Sequence, residues 1–180
     1  VYFIDNDDYF GKRLIERDES GEEYPDNGER AIFFARGVLE TVKKLRWIPD
    51  IIHCQGWMSG VVPLYVKTAY RDEPSFAETK VITSLFNKSI DKNLGDNFKE
   101  FLEFRDAKSS LLDGYKEKFD FDELGKLAID YSDGVIQAVP EVNKQLLDYA
   151  KEKNVPLLGY HEDFADACEA FYESLYANET

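Results

Sequence analysis

Two segments that follow predicted strands carry the side chains best suited to bind a ligand. Gln55 and Trp57 follow one strand, and Asn87 follows the next strand along the chain. The apolar face of a tryptophan can stack on a sugar ring, and amide groups can hydrogen-bond sugar hydroxyls. Trp57 can equally be a core residue at the head of the next helix. Two interpretations therefore stay open at this edge: a weak site for a neutral sugar, or no site.

The histidines and cysteines offer little catalytic chemistry. His53 lies near the end of a buried strand, where a histidine is typically packed and hydrogen-bonded, and His161 follows the last predicted strand in a solvated turn. Cys54 and Cys168 fit neither a disulfide framework nor a zinc site, and we expect both to be small core residues. We therefore expect no metal and no cofactor, and we assign no catalytic residue.

Two Asp-x-Asp patterns have the composition of a site for a divalent cation. They are Asp5-Asn6-Asp7 and Asp120-Phe121-Asp122. Paired carboxylates of this form hold a metal ion and a diphosphate in one class of enzymes, because such ions prefer oxygen ligands. In a chain this acidic the pattern also arises by chance. Asp120 and Asp122 are better explained as caps of the helix that follows them.

No phosphate-binding loop is found in the sequence. It contains no Gly-x-Gly-x-x-Gly motif, no Walker motif and no serine nucleophile elbow. The helix after Gly56 begins at a strand end, so its amide groups could bind an anion. An ordinary tight turn between strand and helix is the simpler explanation of Gly56.

The composition limits the classes of partner. The 180 residues include 36 Asp and Glu against 22 Lys and Arg, which gives a net charge of −14. A surface this acidic repels nucleic acid and anionic lipid, and no apolar stretch approaches the about 20 residues of a membrane span. We therefore expect neither nucleic acid nor a membrane as partner. Two unpaired cysteines and the absence of a recognisable signal peptide predict a cytoplasmic protein.

Short apolar runs alternate with amphipathic helical patterns along the chain. This alternation is typical of a parallel sheet with helices on both faces. We predict a single Rossmann-like α/β domain over residues 1–180, with strands at 1–5, 50–54, 80–85, 133–138 and 156–159. Because the first strand is already under way at Val1, we expect a fragment whose sheet is incomplete on its N-terminal side.

Helices are predicted between these strands. Asp26 and Glu29 have the spacing of a capping box for the first helix, and Pro140 suits the first turn of a later one. We expect helices over about 27–45, 57–70, 121–131, 140–153 and 163–177 from the apolar periodicity. Residues 6–28 are predicted to form an acidic surface loop. Residues 87–119 are predicted to form an irregular or helical insertion.

Four motifs, in chain order, resemble those of bacterial glycogen synthases and plant starch synthases. They are Tyr24-Pro25-Asp26-Asn27 with Arg30 and Phe33; residues 49–57, Pro-Asp-Ile-Ile-His-Cys-Gln-Gly-Trp; residues 81–87, Val-Ile-Thr-Ser-Leu-Phe-Asn; and residues 124–133, Leu-Gly-Lys-Leu-Ala-Ile-Asp-Tyr-Ser-Asp. Each motif alone is unspecific, but four in the same order are specific. The resemblance extends over residues 24–150.

The resemblance implies both a fold and an activity. Members of this family are retaining GT-B glucosyltransferases, which move glucose from ADP-glucose to an α-1,4-glucan in a cleft between two Rossmann-like domains. This chain resembles part of the N-terminal domain, in the form of a short, single-domain branch. ADP-glucose and an α-1,4-glucan are the ligands that the resemblance implies, and a maltooligosaccharide is the ligand best suited to the strand ends.

Three positions depart from the family pattern. Gln55 and Gly56 stand where the family has a histidine and then an aspartate that contacts sugar. Phe86 stands where the family has a sugar-contacting histidine. The changes at Gly56 and Phe86 remove polar groups that would bind substrate.

The candidate substrate-binding residues are Trp57, Gln55, Asn87, His53 and Gly56. None of these five residues is a lysine or an arginine that could neutralise a donor diphosphate, so we expect the isolated chain to be inactive in glucose transfer. The alternative is a non-catalytic relative that binds glucan or a partner protein. A third interpretation, an unrelated nucleotide-binding domain, is disfavoured by the missing phosphate loop.

Overall fold

Four parallel strands form the sheet at the centre of the protein. The computed structural model describes residues 1–177. The strands are β1 (Ile51–Gln55), β2 (Lys80–Leu85), β3 (Gly134–Gln137) and β4 (Leu157–Leu158), in the spatial order β1-β2-β3-β4. In this register Ile52 pairs with Val81, and Val135 pairs with both Thr83 and Leu157. The predicted α/β class with a parallel sheet is confirmed.

In residues 1–177, six α-helices connect and cover the strands. They are α1 (Asn27–Lys44), α2 (Val62–Lys67), α3 (Phe98–Leu102), α4 (Phe121–Asp130), α5 (Lys144–Glu152) and α6 (Phe164–Ala177). Short 3-10 helices span Trp57–Ser59, Pro74–Phe76 and Ser109–Leu112. Among the described residues, no helix is long and apolar enough to cross a bilayer.

Helices cover both faces of the sheet, because successive strand side chains point to opposite sides. On one face, Cys54 and Val81 pack with residues of α1, α2 and α4, and Leu85 and Val135 pack with α4 and α5. On the other face, residues of β2 and β3 pack against α6; this cluster includes Ile82, Ile136, Cys168, Phe171 and Leu175. The sheet is therefore the middle layer of three.

Gly134 allows α6 to approach β3 closely. A Cβ atom built at this glycine would lie 2.9 Å from Cζ of Phe171 and 3.2 Å from Cδ1 of Leu175. Both distances are shorter than ordinary contacts, so a side chain here would push the helix away from the sheet.

The predicted strand at residues 1–5 is wrong. Val1, Tyr2 and Phe3 are largely exposed and pair with no strand in the described part of the chain. Ile4 instead packs against α1, where its Cγ2 lies 3.0 Å from the position of a Cβ on Gly37. An apolar run forms a strand only if the edge of a sheet is within reach, and here only Ile4 finds a packing partner, on α1.

Several predicted helix starts also differ from the structure. Asp26 makes no side-chain cap to α1 and instead receives a 2.8 Å hydrogen bond from Arg13 Nη1. The predicted helix over 57–70 is divided into a 3-10 turn and the short α2. The helix expected from Pro140 begins only at Lys144, capped by Asn143. Tertiary partners and better caps override the local signals at these ends.

Buried Arg30 holds the N-terminal segment against α1. Its guanidinium, in a side chain that is 1% exposed, donates to the carbonyl oxygens of Tyr9, Leu14 and Ile15 and to Oδ1 of Asn27. Residues 87–119, which follow β2, contain only α3 and one 3-10 turn as helical structure. This second irregular segment also packs beside α1, since Leu94 and Phe98 lie against Gly28.

Candidate functional site

The carboxyl ends of β1 and β2 lie side by side. Gln55 at the end of β1 pairs with Ser84 near the end of β2, so the segments that follow both strands leave the sheet at one edge. Gly56, Trp57, Phe86 and Asn87 line one cavity at this edge, together with Leu124 and Gly125 of α4 and Leu146 of α5. The structure thus brings three of the five predicted residues together.

This cavity is small. Its volume is about 50 Å³, enough for a few water molecules but not for a sugar ring. Its lining includes Gly60 of the turn before α2, and a Cβ atom at this glycine would lie 2.7 Å from Cγ of Leu124. Close packing of α4 on the turn after β1 therefore closes the space beneath the strand ends.

Trp57 belongs to the core. It is 6% exposed and packs in the cluster that contains α1, α2 and Leu124. A ring buried in this way cannot stack on a ligand that approaches from solvent. Of the two interpretations left open by the sequence, the structure favours the core residue, and the sugar-stacking interpretation of Trp57 is wrong for this conformation.

His53 points away from the edge, into the layer under α6. Its Nδ1 lies 2.6 Å from the hydroxyl of Tyr172, and its Nε2 lies 2.5 Å from Oγ of Ser84. Burial lowers the pKa of the imidazole, because the charged form loses solvation. As expected for a packed histidine, both ring nitrogens are occupied, and His53 offers no group to a ligand at the strand ends.

Gly56 is defined by its backbone conformation. Its φ is +76° and its ψ is 164°, a combination that is essentially restricted to glycine. A Cβ atom at this position would meet no atom within 4 Å, so space is available and only the backbone excludes a side chain. The following turn is closed by Ser59, whose Oγ lies 2.9 Å from the carbonyl oxygens of Gln55 and Gly56.

The candidate side chains at this edge are neutral, although the exposed Lys88 directly follows Asn87. Gln55, Gly56 and Asn87 are exposed, and Phe86 is half-buried. The lining of the cavity includes no lysine and no arginine. Amide groups suit the hydroxyls of a sugar, whereas a diphosphate needs cations that the cavity lining does not supply.

Neither Asp-x-Asp pattern forms a metal site. Asp120 caps α4 by accepting a 2.9 Å hydrogen bond from the Glu123 amide, and Asp122 accepts one of 2.6 Å from Asn143 rather than capping. Within residues 1–177 no three His, Cys, Asp or Glu side chains are grouped so that they could hold a metal ion. The prediction of a capping role is confirmed for Asp120 and wrong for Asp122.

The two cysteines are unsuited to nucleophilic chemistry. Both are buried, as predicted. Burial raises the pKa of the Cys54 thiol to about 12 and also raises that of Cys168. Both thiols are therefore protonated at neutral pH, and neither has the thiolate character of a reactive cysteine.

Sequence reasoning missed a groove on the outer side of α1. Its volume is about 460 Å³, and it is lined by Tyr9 of the N-terminal segment, by Phe101 of α3, and by residues of α1 that include Glu29, Phe33, Arg36 and Glu40. The four α1 positions are spaced by four, three and four residues, which places them on one face of a helix. This spacing is the signal that could have revealed the groove.

A tyrosine–carboxylate cluster between α4 and α5 was also missed. Asp130 accepts hydrogen bonds from the hydroxyls of Tyr115 and Tyr149, and Lys153 lies 3.5 Å from its Oδ1. Burial and the neighbouring carboxylate raise the pKa of both tyrosines. All four groups are paired with one another, so the cluster joins α5 to α4 and carries no evident chemistry of its own.

The chain matches a family model described as the starch synthase catalytic domain, over residues 1–156. A glycogen synthase from Clostridium perfringens is 34% identical over 162 residues, which are 90% of this chain and 31% of that protein. A glycogen synthase from Vibrio parahaemolyticus is 42% identical over 87 residues, which are 48% of this chain and 18% of that protein. The chain therefore spans less than a third of the length of these relatives.

A solved structure shares the fold. It is the catalytic domain of starch synthase IV from Arabidopsis thaliana, bound to ADP and acarbose. The TM-score is 0.54 at 19% identity, over 74% of this chain and 29% of that chain. With the family model covering residues 1–156, this chain belongs to the starch synthase catalytic domain family.

Proposed function

We propose that this chain is part of the N-terminal domain of a glucosyltransferase of the glycogen and starch synthase type. Such a protein would transfer glucose from ADP-glucose to an α-1,4-glucan in the cytoplasm. The observation that carries the proposal is the family match over residues 1–156. The parallel sheet agrees with it, because its strand ends bring the two motif segments, 55–57 and 86–87, to one edge.

The chemistry of this edge supports a role on the sugar side of the reaction. Gln55 ends β1 and Asn87 follows the neighbouring strand β2, and both side chains carry exposed amides. Such groups donate and accept hydrogen bonds with hydroxyls but do not neutralise phosphate. Donor binding needs cations, and neither Gln55 nor Asn87 supplies one. We therefore expect no transfer by the isolated chain.

A non-catalytic relative that binds glucan is the second candidate. The observation that favours it is the state of the strand ends: Trp57 is buried, Gly56 carries no side chain and Phe86 is apolar. A protein with this edge could retain the fold and bind glucan without transferring glucose.

Incubation with radiolabelled ADP-glucose and glycogen separates these candidates. We expect no elongation by the 180-residue chain above a blank without protein, and clear elongation by the product of the complete reading frame. Asn87→Ala in that longer protein should reduce elongation, whereas Lys88→Ala, at an exposed neighbouring position, should not. If the complete protein fails to elongate glycogen, the proposed transferase activity is wrong, and the non-catalytic relative that binds glucan remains as the candidate.

A further inference from the structure

The tyrosine–carboxylate cluster between α4 and α5 forms one wall of a larger cavity. The opposite wall comes from the irregular segment before α4, and the volume is about 750 Å³, within the range of small-molecule clefts. Its charged lining consists of Lys116, Lys126, Lys153, Glu123 and Asp130. The cavity shares no lining residue with the cavity at the strand ends, so the two are separate. We call it the lysine cavity.

The three lysines of this cavity come from three segments and share their partners. Oε1 of Glu123 lies 3.0 Å from Nζ of Lys126 and 3.9 Å from Nζ of Lys116. The Nζ atoms of Lys126 and Lys153 lie 5.7 Å and 5.2 Å from the ring centre of Tyr149. Lys126 thus shares one partner with each of the other two lysines, which brings the three ammonium groups together.

The two carboxylates of the cavity are held by protein donors. Glu123, whose side chain is 3% exposed, accepts hydrogen bonds of 3.0 Å from the Lys116 amide and from Nζ of Lys126. Asp130 accepts the tyrosine hydroxyls of the cluster described above. Each lysine pairs with one of these carboxylates. Since an ammonium group has three donors, donors remain for a ligand.

The local charge of the cavity is positive, although the protein is acidic. Three ammonium groups and two carboxylates sum to about +1 by the ordinary charges of these groups. The charge of Asp130 raises the pKa of Lys153, so this ammonium group stays charged at neutral pH. The net charge of −14 belongs to the whole chain. Exposed charges farther away than about 8 Å are largely screened at physiological ionic strength, so the lining decides which ion is attracted.

The rest of the lining suits an organic group. The ring of Tyr131 and the side chains of Leu111 and Val155 add apolar surface beside the lysines. Leu111 is 40% exposed and gains little from the core. An inorganic anion would contact the ammonium groups but would fill only a small part of the cavity. An anionic group on a small organic body would use both parts of the lining.

We propose that the lysine cavity binds a small phosphate monoester, with its phosphate on Lys116, Lys126 and Lys153 and its organic part against the tyrosines. Such a phosphate carries a charge of about −1.5 to −2 at pH 7 and three strong acceptor oxygens, which match three ammonium groups. Lysine binds phosphate as a point charge, so no planar guanidinium is needed. The proposal rests on this cavity alone and requires no glucose transfer.

Nuclear magnetic resonance of the ¹⁵N-labelled chain, titrated at constant ionic strength, tests this proposal. The probes are phenyl phosphate and inorganic phosphate. We expect amide shifts centred on Lys116, Lys126 and Lys153 with both probes. Phenyl phosphate should bind several-fold more tightly than inorganic phosphate, because its ring contacts the tyrosines.

Lysine variants test the phosphate contact. Lys153→Met should raise the dissociation constant for phenyl phosphate about tenfold, because it removes a charged donor and leaves Asp130 with its two tyrosine donors. Lys126→Met should raise it at least as much; if this variant does not fold, Lys153→Met decides. Lys43→Met is the matched control, since Lys43 also pairs with a carboxylate, at 2.7 Å, but lies outside the cavity. It should leave the constant unchanged.

Four results would overturn the proposal. An unchanged dissociation constant in Lys153→Met, or an equal rise in Lys43→Met, would show that the lysines of the cavity do not hold the phosphate. Amide shifts centred on residues 55–57 and 86–87 would place the phosphate at the strand ends. Equal binding of both probes would leave an adventitious ion only. Tighter binding of a phosphoserine peptide than of phenyl phosphate would replace the small molecule by a protein partner.

Discussion

His53 of β1 and Tyr172 of α6 are joined by a 2.6 Å contact between Nδ1 and the phenol oxygen. The two residues are 119 positions apart, and Tyr172 lies beyond the part of the chain that matches the family model. Their rings meet edge to face, with centroids 5.8 Å apart at 80°. Helix α6 therefore covers the sheet and also fixes the orientation of the imidazole away from the strand ends.

Removing this contact should cost stability without changing the fold. In Tyr172→Phe the ring still packs on β1, but Nδ1 of His53 loses its partner in a half-buried layer. We expect the free energy of unfolding to fall by about 1–2 kcal/mol, the cost of an unsatisfied polar group. Urea unfolding measures it. Tyr160→Phe, at a more exposed tyrosine, is the matched control and should be near neutral; an equal loss in both variants would contradict the assignment.

Stability should fall as the pH falls below the ordinary pKa of histidine. Burial lowers the pKa of His53 in the folded state. Between that lowered value and the unfolded value of about 6.5, the unfolded chain binds more protons, so its population rises as pH decreases. The contribution of neutral His53 to the free energy of unfolding is therefore complete above about pH 6.5. It is lost as the pH falls from there toward the lowered pKa of the folded state.

The measurement is the free energy of unfolding as a function of pH in the parent chain and in His53→Asn. The slope just below the ordinary histidine pKa should be smaller in His53→Asn than in the parent chain. His161→Asn removes the exposed histidine and should keep the parent slope. A slope that depends on His161 rather than His53 would show that burial is not the cause.

Much of the sheet follows from the sequence because its strands are short apolar runs between helical patterns. Residues 81–83 and 135–136 are β-branched, and they form the centres of β2 and β3 as expected. Residues 1–4 are also apolar, but they form no strand and only Ile4 packs on α1, since composition does not say which sheet edge is within reach. The partner of Asp26 could not be predicted either, because Arg13 reaches it only when the N-terminal segment folds back.

The candidate site was predicted less well than the fold. The strand ends do bring Gly56 and Asn87 together, since parallel strands end at one edge. The burial of Trp57 depends on how α4 packs on the turn after β1, and the local sequence does not predict that packing. The groove on the outer side of α1 could be predicted only in part. The spacing of Glu29, Phe33 and Arg36 indicates its helical face, but its other walls come from distant segments.

Gly56→Ala should destabilise the protein through the backbone alone. The residue has φ +76°, where side chains are strained, yet a Cβ atom would meet nothing within 4 Å. We expect a loss of about 1–3 kcal/mol, the cost of holding a non-glycine residue in this region. Thermal unfolding of Gly114→Ala is the control, since that glycine also has open space but no positive φ. A loss in Gly114→Ala as large as in Gly56→Ala would point to a cause other than φ.

Arg30→Met should release the N-terminal segment from α1. The guanidinium is buried and satisfies three backbone carbonyls and Asn27, and its carbon lies 4.9 Å from the ring centre of Tyr24. Methionine fills part of the space but leaves these acceptors without a donor. We expect a loss of at least about 3 kcal/mol, since several buried acceptors lose their hydrogen bonds together.

The release should be visible as faster proteolysis in residues 6–28, while the amides of β1–β3 keep their hydrogen-exchange protection. Arg71→Met is the matched control, because Arg71 is 62% exposed in its side chain and pairs with the surface carboxylates of Asp72 and Asp106. It should lose less than about 1 kcal/mol and keep the parent cleavage rate. Equal cleavage of both variants would mean that Arg30 does not hold this segment, and that the aromatic contacts of Tyr9 and Phe10 with Phe33 are sufficient.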